Sequence, residues 1–257
     1  MFLLREHERK LVIEKHEFLW RAGKNRLLGP FTDPSIEREA DQETKDSWAK
    51  SGQNFNPDIH DEAILAEDAL DAGIWRYELL GDLRNSVRLT LVASMYFELE
   101  KELKSWLGRE VNNLIPGLQR LISQPGYNGP PKAPDSSAAE RIQSKPIYEI
   151  WNLLKCLGLD VPRQPYFKEL DKCRLVVNIY KHGAGSSLDD LQKNYPNFHK
   201  KTQSYSMSAT GNDQILKIDD SDLDGFAEAI KAFWKSIPDN VQLSTVNQFP
   251  KWVTDKP

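Results

Sequence analysis

"NSVRLTLVASMYFELEKELKSWLGRE", residues 85–110, decides the fold class. Leu89, Val92, Tyr96, Leu99, Leu103 and Trp106 recur at alternating steps of three and four. That spacing keeps one side of an α-helix apolar over its whole length. Glu100 and Lys104 stand four apart on the outer face, where opposite charges pair. An apolar seam this long must be covered by other helices, so the stretch predicts a bundle.

The segment before it reads the same way. "PDIHDEAILAEDALDAGIWRYELLGDL" (57–83) places Ala63, Ala66, Leu70, Ile74, Tyr77 and Leu80 at helical steps, an expected buried face. Asp58 is the expected N-cap, with Asp61 and Glu62 in the first turn. Gly81 marks an expected bend or break, giving two long helices, antiparallel or nearly continuous. Further helices are expected over 147–158, closing on Gly158, and over 165–183, stopping at Gly183. Another covers 219–238, with Ser221 and Asp224 as a capping box. Its stripe of Leu223, Phe226, Ile230, Phe233, Trp234 and Ile237 reads as core.

Between these elements lie weaker signals. Residues 124–146 hold five prolines and two glycines and read as a proline-rich loop. Residues 200–218 read as an irregular insert holding at most a hairpin or one strand. Residues 1–22 suit a short helix or an edge strand, and 23–57 are rich in Gly, Pro, Asn and Asp. The expected organisation is an irregular extension over 1–57, one all-α bundle over 58–240 and a tail over 241–257.

Bulk composition narrows the function. The 257 residues are 28% charged and 39% hydrophobic, with a net charge of −4. Such a balance exerts no global pull on nucleic acid, so any such binding needs a local basic patch. One exists: residues 163–201 hold eight Lys or Arg against four acidic residues, with Tyr166, Tyr195 and Tyr205 available to stack on bases. Residues 58–82 are the reverse, eight acidic residues against Arg76 alone, a face that repels nucleic acid or docks a basic partner. Cys156 and Cys173 lack zinc or redox spacing and are expected as buried thiols. The opening "MFLLREHERK" turns charged after four residues, unlike a signal peptide, and no stretch approaches the ~20 apolar residues of a membrane span. A cytoplasmic protein without membrane contact is expected. His7, His16, His60 and His199 have no metal-ligand spacing, and "GAG" at 183–185 follows a helix, so neither a metal nor another cofactor is expected.

One constellation carries chemistry. In "DKCRLVVNIYKHGAG" (171–185), Arg174, Asn178 and His182 stand four residues apart on an otherwise apolar helix. Four residues advance a helix by about 400°, so the three form one slanted row. Histidine titrates near neutrality and can move a proton at a ribose 2′-hydroxyl or a leaving oxygen. A guanidinium or ammonium can hold the scissile phosphate, and the carboxamide can orient the imidazole. The candidate catalytic residues are therefore His182, Asn178 and Arg174, with Lys181, Lys172 and Tyr180 as candidate substrate contacts. A histidine favoured at a helix C-terminus by the macrodipole is the competing reading.

Asn178-x-x-Lys181-His182-Gly183, on a late helix after the long "MYFELEKELKSWL" helix, resembles the HEPN (higher eukaryotes and prokaryotes nucleotide-binding) superfamily over about residues 60–238. The resemblance implies an all-α bundle, usually a homodimer. It implies a metal-independent ribonuclease of toxin–antitoxin, abortive-infection and antiviral systems. RNA and a partner protein or antitoxin are then the expected partners. The family motif is Arg, four to six residues, then His, often with a polar residue after the Arg, and Asn178 and His182 fall on the last two. Val177 occupies the arginine's place, and Arg174 is the nearest arginine upstream. Either Arg174 or Lys181 supplies the charge, or the chain is a catalytically silent HEPN-like binding or scaffold protein.

Overall fold

The computed structural model describes residues 2–53, 55–123, 137–202, 216–241 and 249–254. The chain is all-α. Its helices are α1 (Glu6–Gly23), α2 (Asp33–Gly52), α3 (Glu62–Ile122), α4 (Ala138–Ser144), α5 (Ile147–Cys156), α6 (Phe167–His182), α7 (Ser186–Asn194), α8 (Pro196–Thr202), α9 (Asp220–Ser236) and α10 (Lys251–Thr254). A two-residue antiparallel pairing joins β1 (Phe2–Leu3) to β2 (Asn240–Val241). The residues fall into two compact units built from interleaved segments.

The first unit comprises Met1–Leu19, Val92–Leu175 and Asp224–Pro257. Its centre is the predicted seam: Val92, Tyr96, Leu99, Leu103 and Trp106 are all buried, joined by Leu107 and Val111. Glu100 and Lys104 pair at 2.6 Å, and the Lys104 ammonium also donates to the Gln143 carbonyl. The stripe of α9 is buried as expected, and its aromatics stack edge-on: Phe233 lies 5.5 Å from Trp151 and 5.4 Å from Trp234. Long side chains tie α1 and α10 in. The Arg9 guanidinium donates to the Ile237 carbonyl at 2.8 Å and pairs with Asp239, while Arg141 donates to the Trp252 and Val253 carbonyls.

The end of α5 matches its sequence signal. Gly158 adopts φ +92°. Its N–H bonds the Lys155 carbonyl at 3.0 Å, and the Leu159 N–H reaches back to Leu154 at 2.9 Å. This double closure needs a left-handed residue, which only glycine adopts without steric cost. A Cβ at Gly158 would meet nothing nearby, so conformational strain is the whole effect. Gly158→Ala is accordingly expected to lower stability by about 1 kcal/mol, read from the shift of a urea-unfolding midpoint.

The second unit comprises Trp20–Leu91 and Val176–Leu223. Here several expectations change. Residues 23–57, read as loop, are largely helical: α1 runs on into a π-helical turn at Lys24–Leu28, and α2 fills Asp33–Gly52. Thr32 caps α2 by accepting from the Ser35 N–H, with Pro34 in the first turn, a combination that starts helices. Gly81 does not break the chain: α3 is continuous from Glu62 to Ile122, the continuous one of the two expected arrangements. Its start is three residues later than expected, with Asp61 accepting from the Ala63 N–H in place of Asp58. Most of the expected buried face is exposed: Leu70, Ile74 and Tyr77 show 56, 49 and 45% of their surface, and of that set only Leu80 is buried.

Between Glu62 and Leu80 the stripe that α3 buries is Ala69, Gly73 and Leu80. Small residues there let α2 approach closely. A Cβ on Gly73 would stand 1.9 Å from the Thr44 hydroxyl and 3.0 Å from the Ala40 carbonyl. Ion pairs fix the antiparallel register of the two helices, Arg84 to Asp33 at 2.5 Å and Arg76 to Glu39 at 3.1 Å. Nearer the middle of α3, buried Asn85 donates to the Leu216 carbonyl at 2.8 Å and accepts from the Ile218 N–H at 3.1 Å. Arg88 adds a pair to Asp220. Residues 186–202, for which no helix was expected, form α7 and α8. Most of the expected proline-rich loop and irregular insert lies outside the described residues, though α4 occupies the end of the former. The tail's described part holds α10.

The start of α9 corrects one detail. The capping box is Asp219 with Asp222: the Asp222 N–H donates to Asp219 at 2.9 Å and the Asp219 N–H to Asp222 at 3.0 Å. Ser221 donates its hydroxyl to Asp219 at 2.6 Å instead of capping. Lys201 pairs with both carboxylates, at 2.9 and 2.8 Å. Although burial opposes it, the bonds from Ser221, Lys201 and the Asp222 N–H hold the Asp219 carboxyl well below the usual range.

Candidate functional site

Helix α6 is built on an apolar body. Leu170, Cys173, Leu175, Val176, Val177 and Ile179 are buried, and Arg174, Asn178 and His182 follow one slanted edge between them. Along that edge Arg174 and Asn178 are half-buried and His182 is exposed. Each step of four residues drifts by about 40°, so Asn178 and His182 lie on one side, a turn apart. The helix stops immediately after the imidazole. Gly183 takes φ +75° and its N–H closes on the Ile179 carbonyl at 2.8 Å. Gly185 is different: its φ of 174° is extended backbone open to any residue, so the second glycine is not needed for the turn.

The remaining candidates separate. Arg174, in the segment assigned to the first unit, donates from Nε to Asp171 Oδ1 at 2.8 Å. Lys181 is exposed beside His182. Lys172 pairs with Glu169 at 2.6 Å and lies about 120° around the helix from Asn178. Tyr180 lies about 160° away on the far side, its hydroxyl 3.1 Å from that of Thr90.

The basic excess of residues 163–201 is partly neutralised. Arg163 pairs with Asp160, Lys172 with Glu169, Arg174 with Asp171 and Lys201 with Asp219 and Asp222. Tyr166 is no open stacking platform, because its hydroxyl lies 2.7 Å from that of Ser236 and its ring meets Phe233 edge-on. Tyr205 lies outside the described residues. Lys168, Lys193 and Lys200 remain on the surface.

One residue near Arg174 was read only as core. The Tyr96 hydroxyl is buried and meets no hydrogen-bond partner among the described residues. Burial first, then the charges of Cys173, Glu100 and Asp171, push its pKa up, with Arg174 opposing. A phenol hydroxyl within an apolar seam was the signal available in the sequence. Cys173 is buried as expected and its thiol is pushed up by burial, while Cys156 is only half-buried. Among the described residues no group of three or more His, Cys, Asp or Glu is arranged to hold a metal ion, and no helix is long and apolar enough to cross a membrane. No family model, curated protein or solved structure matches the chain.

Proposed function

We propose that this chain is a HEPN-like, metal-independent endoribonuclease acting as a toxin-type or antiviral effector, in the cytoplasm and as a homodimer. The observation that carries the reading is an exposed His182 at the last turn of α6, with Asn178 one turn before it, on a helix whose body of Leu170, Cys173 and Leu175–Val177 is core. The imidazole takes the proton from a ribose 2′-hydroxyl, and that oxygen attacks the adjacent phosphorus. The bond to the 5′-oxygen breaks, leaving a 2′,3′-cyclic phosphate and a 5′-hydroxyl that collects a proton. Asn178 orients the ring, while Lys181 and Arg174 offset charge on the phosphate.

Labelled RNA incubated with the purified protein in EDTA tests this. Cleavage is expected to persist without metal and to fall at least about a hundredfold in His182→Ala, the range general acid–base groups contribute. Cleavage that needs a divalent ion, or that survives in the variant, overturns the assignment.

A second reading draws on the Arg174–Asp171 ion pair and on Val177 in the motif's arginine position. With the guanidinium already engaged, the chain is a silent binder of RNA, a nucleotide or a partner protein. Its signature is no cleavage, together with RNA retardation that weakens steeply as salt rises.

A further inference from the structure

The arm formed by α2 and the first third of α3 has a face that its own packing leaves uncovered. At 100° per residue, the buried stripe of Ala69, Gly73 and Leu80 occupies one side of α3. Directly opposite runs a ridge of carboxylates, Glu67, Asp71 and Glu78. Two apolar rows flank that ridge: Leu70, Ile74 and Tyr77 on one side, Ile64, Trp75 and Leu79 on the other, each within about 60° of arc. All six are roughly half exposed, in contrast with the seam of the same helix beyond Val92. Single exposed apolar residues are ordinary, but six in two ordered rows mark an interaction surface.

Charge decides what covers it. Residues 33–82 carry fourteen Asp and Glu against only Arg38, Lys45, Lys50 and Arg76, and Arg76 is already paired with Glu39. A second copy of the chain laid on this face in two-fold symmetry would set the carboxylate ridge against itself, which opposes self-pairing. RNA is repelled for the same reason. A helix whose apolar stripe is interrupted by Lys or Arg satisfies both components, its aliphatic residues entering the two rows and its cations lying along the ridge. Adding one helix to a two-helix arm completes a three-helix bundle, in which each member buries a full stripe.

We propose that the outward face of residues 64–79 docks a basic amphipathic helix of a partner protein. This surface is separate from the α6 edge, and the two assignments stand or fall independently.

The test uses the full chain and a fluorescent 21-residue helical peptide of Leu, Lys and Ala, with a Glu-for-Lys counterpart. Anisotropy titration at about 100 mM salt is expected to show saturable binding of the basic peptide only. Glu67→Gln/Asp71→Asn/Glu78→Gln and Trp75→Ser/Leu79→Ser are each expected to weaken it at least tenfold. Glu37→Gln/Asp41→Asn/Glu43→Gln, which removes equal charge from exposed positions of α2, is expected to change it less than threefold. All these side chains are exposed, and far-UV circular dichroism confirms that each variant folds. No binding, equal binding of the acidic peptide, or equal weakening by the α2 variant overturns the proposal. So does a self-association in sedimentation that Trp75→Ser/Leu79→Ser abolishes, which would make a second copy the occupant.

Discussion

Phe233→Ala is expected to destabilise the first unit by about 4 kcal/mol, within the upper range for truncating a buried aromatic ring. The ring is fully buried and sits among three other aromatics: Trp234 at 5.4 Å, Trp151 at 5.5 Å and Tyr166 at 6.2 Å, all edge-on. Removing it forfeits the transfer of a large apolar group and leaves a space those rigid neighbours cannot refill by rotation. The edge-to-face contacts add to that cost. Guanidinium unfolding followed by tryptophan fluorescence reads the change directly, because two of the neighbours are the reporters. Leu11→Ala, at a position 62% exposed on α1, serves as the comparison and is expected to change stability by no more than about 0.5 kcal/mol. Similar losses for the two variants would mean that the aromatic cluster is not the core.

The second large effect is a loss of stability in mild acid, traced to His16. The side chain is buried against the Trp234 ring, and neither ring nitrogen has a hydrogen-bond partner among the described residues. Burial lowers its pKa from 6.5 to about 4, with Glu98 opposing and Lys15 adding to the shift. The sign follows from proton counting. Between pH 6.5 and 4 the unfolded chain binds a proton that the folded chain excludes, so stability falls as the pH falls through that window. A shift of this size corresponds to about 3 kcal/mol, fully present above the unfolded value and gone below the folded one. His16→Leu is expected to flatten the curve over that interval. At pH 7 it should be neutral or stabilising, because it removes two unsatisfied polar atoms from the core. Asp219, held below its usual range, weakens the fold only at lower pH, below the ordinary carboxylate value, so the two contributions separate along the pH axis. Wild-type and variant curves that stay parallel from pH 6.5 to 4 would remove His16 as the cause.

What could be read from sequence depended on whether a pattern reflected packing or merely composition. The seam from Leu89 to Trp106 and the stripe of α9 were legible because large apolar residues filled a complete helical face. Leu70, Ile74 and Tyr77 show the same spacing, yet they face outward. Periodicity reports that a face is apolar without saying which protein's surface covers it. The true inner stripe there, Ala69 and Gly73, was illegible because small residues contribute closeness and almost no hydrophobic signal. Helix α2 was missed for a related reason: it buries only Ile36 and Ala40, and its Asp, Thr and Ser content resembles loop until Thr32 and Pro34 are read as a start. On α6 the four-residue spacing put Asn178 and His182 one turn apart on a single edge. It could not foresee Asp171 taking the Arg174 guanidinium, because a one-turn ion pair competes with any ligand from within the helix.

The first unit draws on both Met1–Leu19 and Asp224–Pro257, and Arg9 closes on the Ile237 carbonyl. Arg9 and Ile237 stand 228 positions apart. A chain emerging from a ribosome at about 5–20 residues per second therefore holds α1 for seconds before the surface that receives it has been made. The exposed Leu11 and Phe18 belong to that waiting helix. Nascent intermediates of this protein are consequently expected to be natural clients for chaperones, and its refolding slow, as loop closure over such separations dictates.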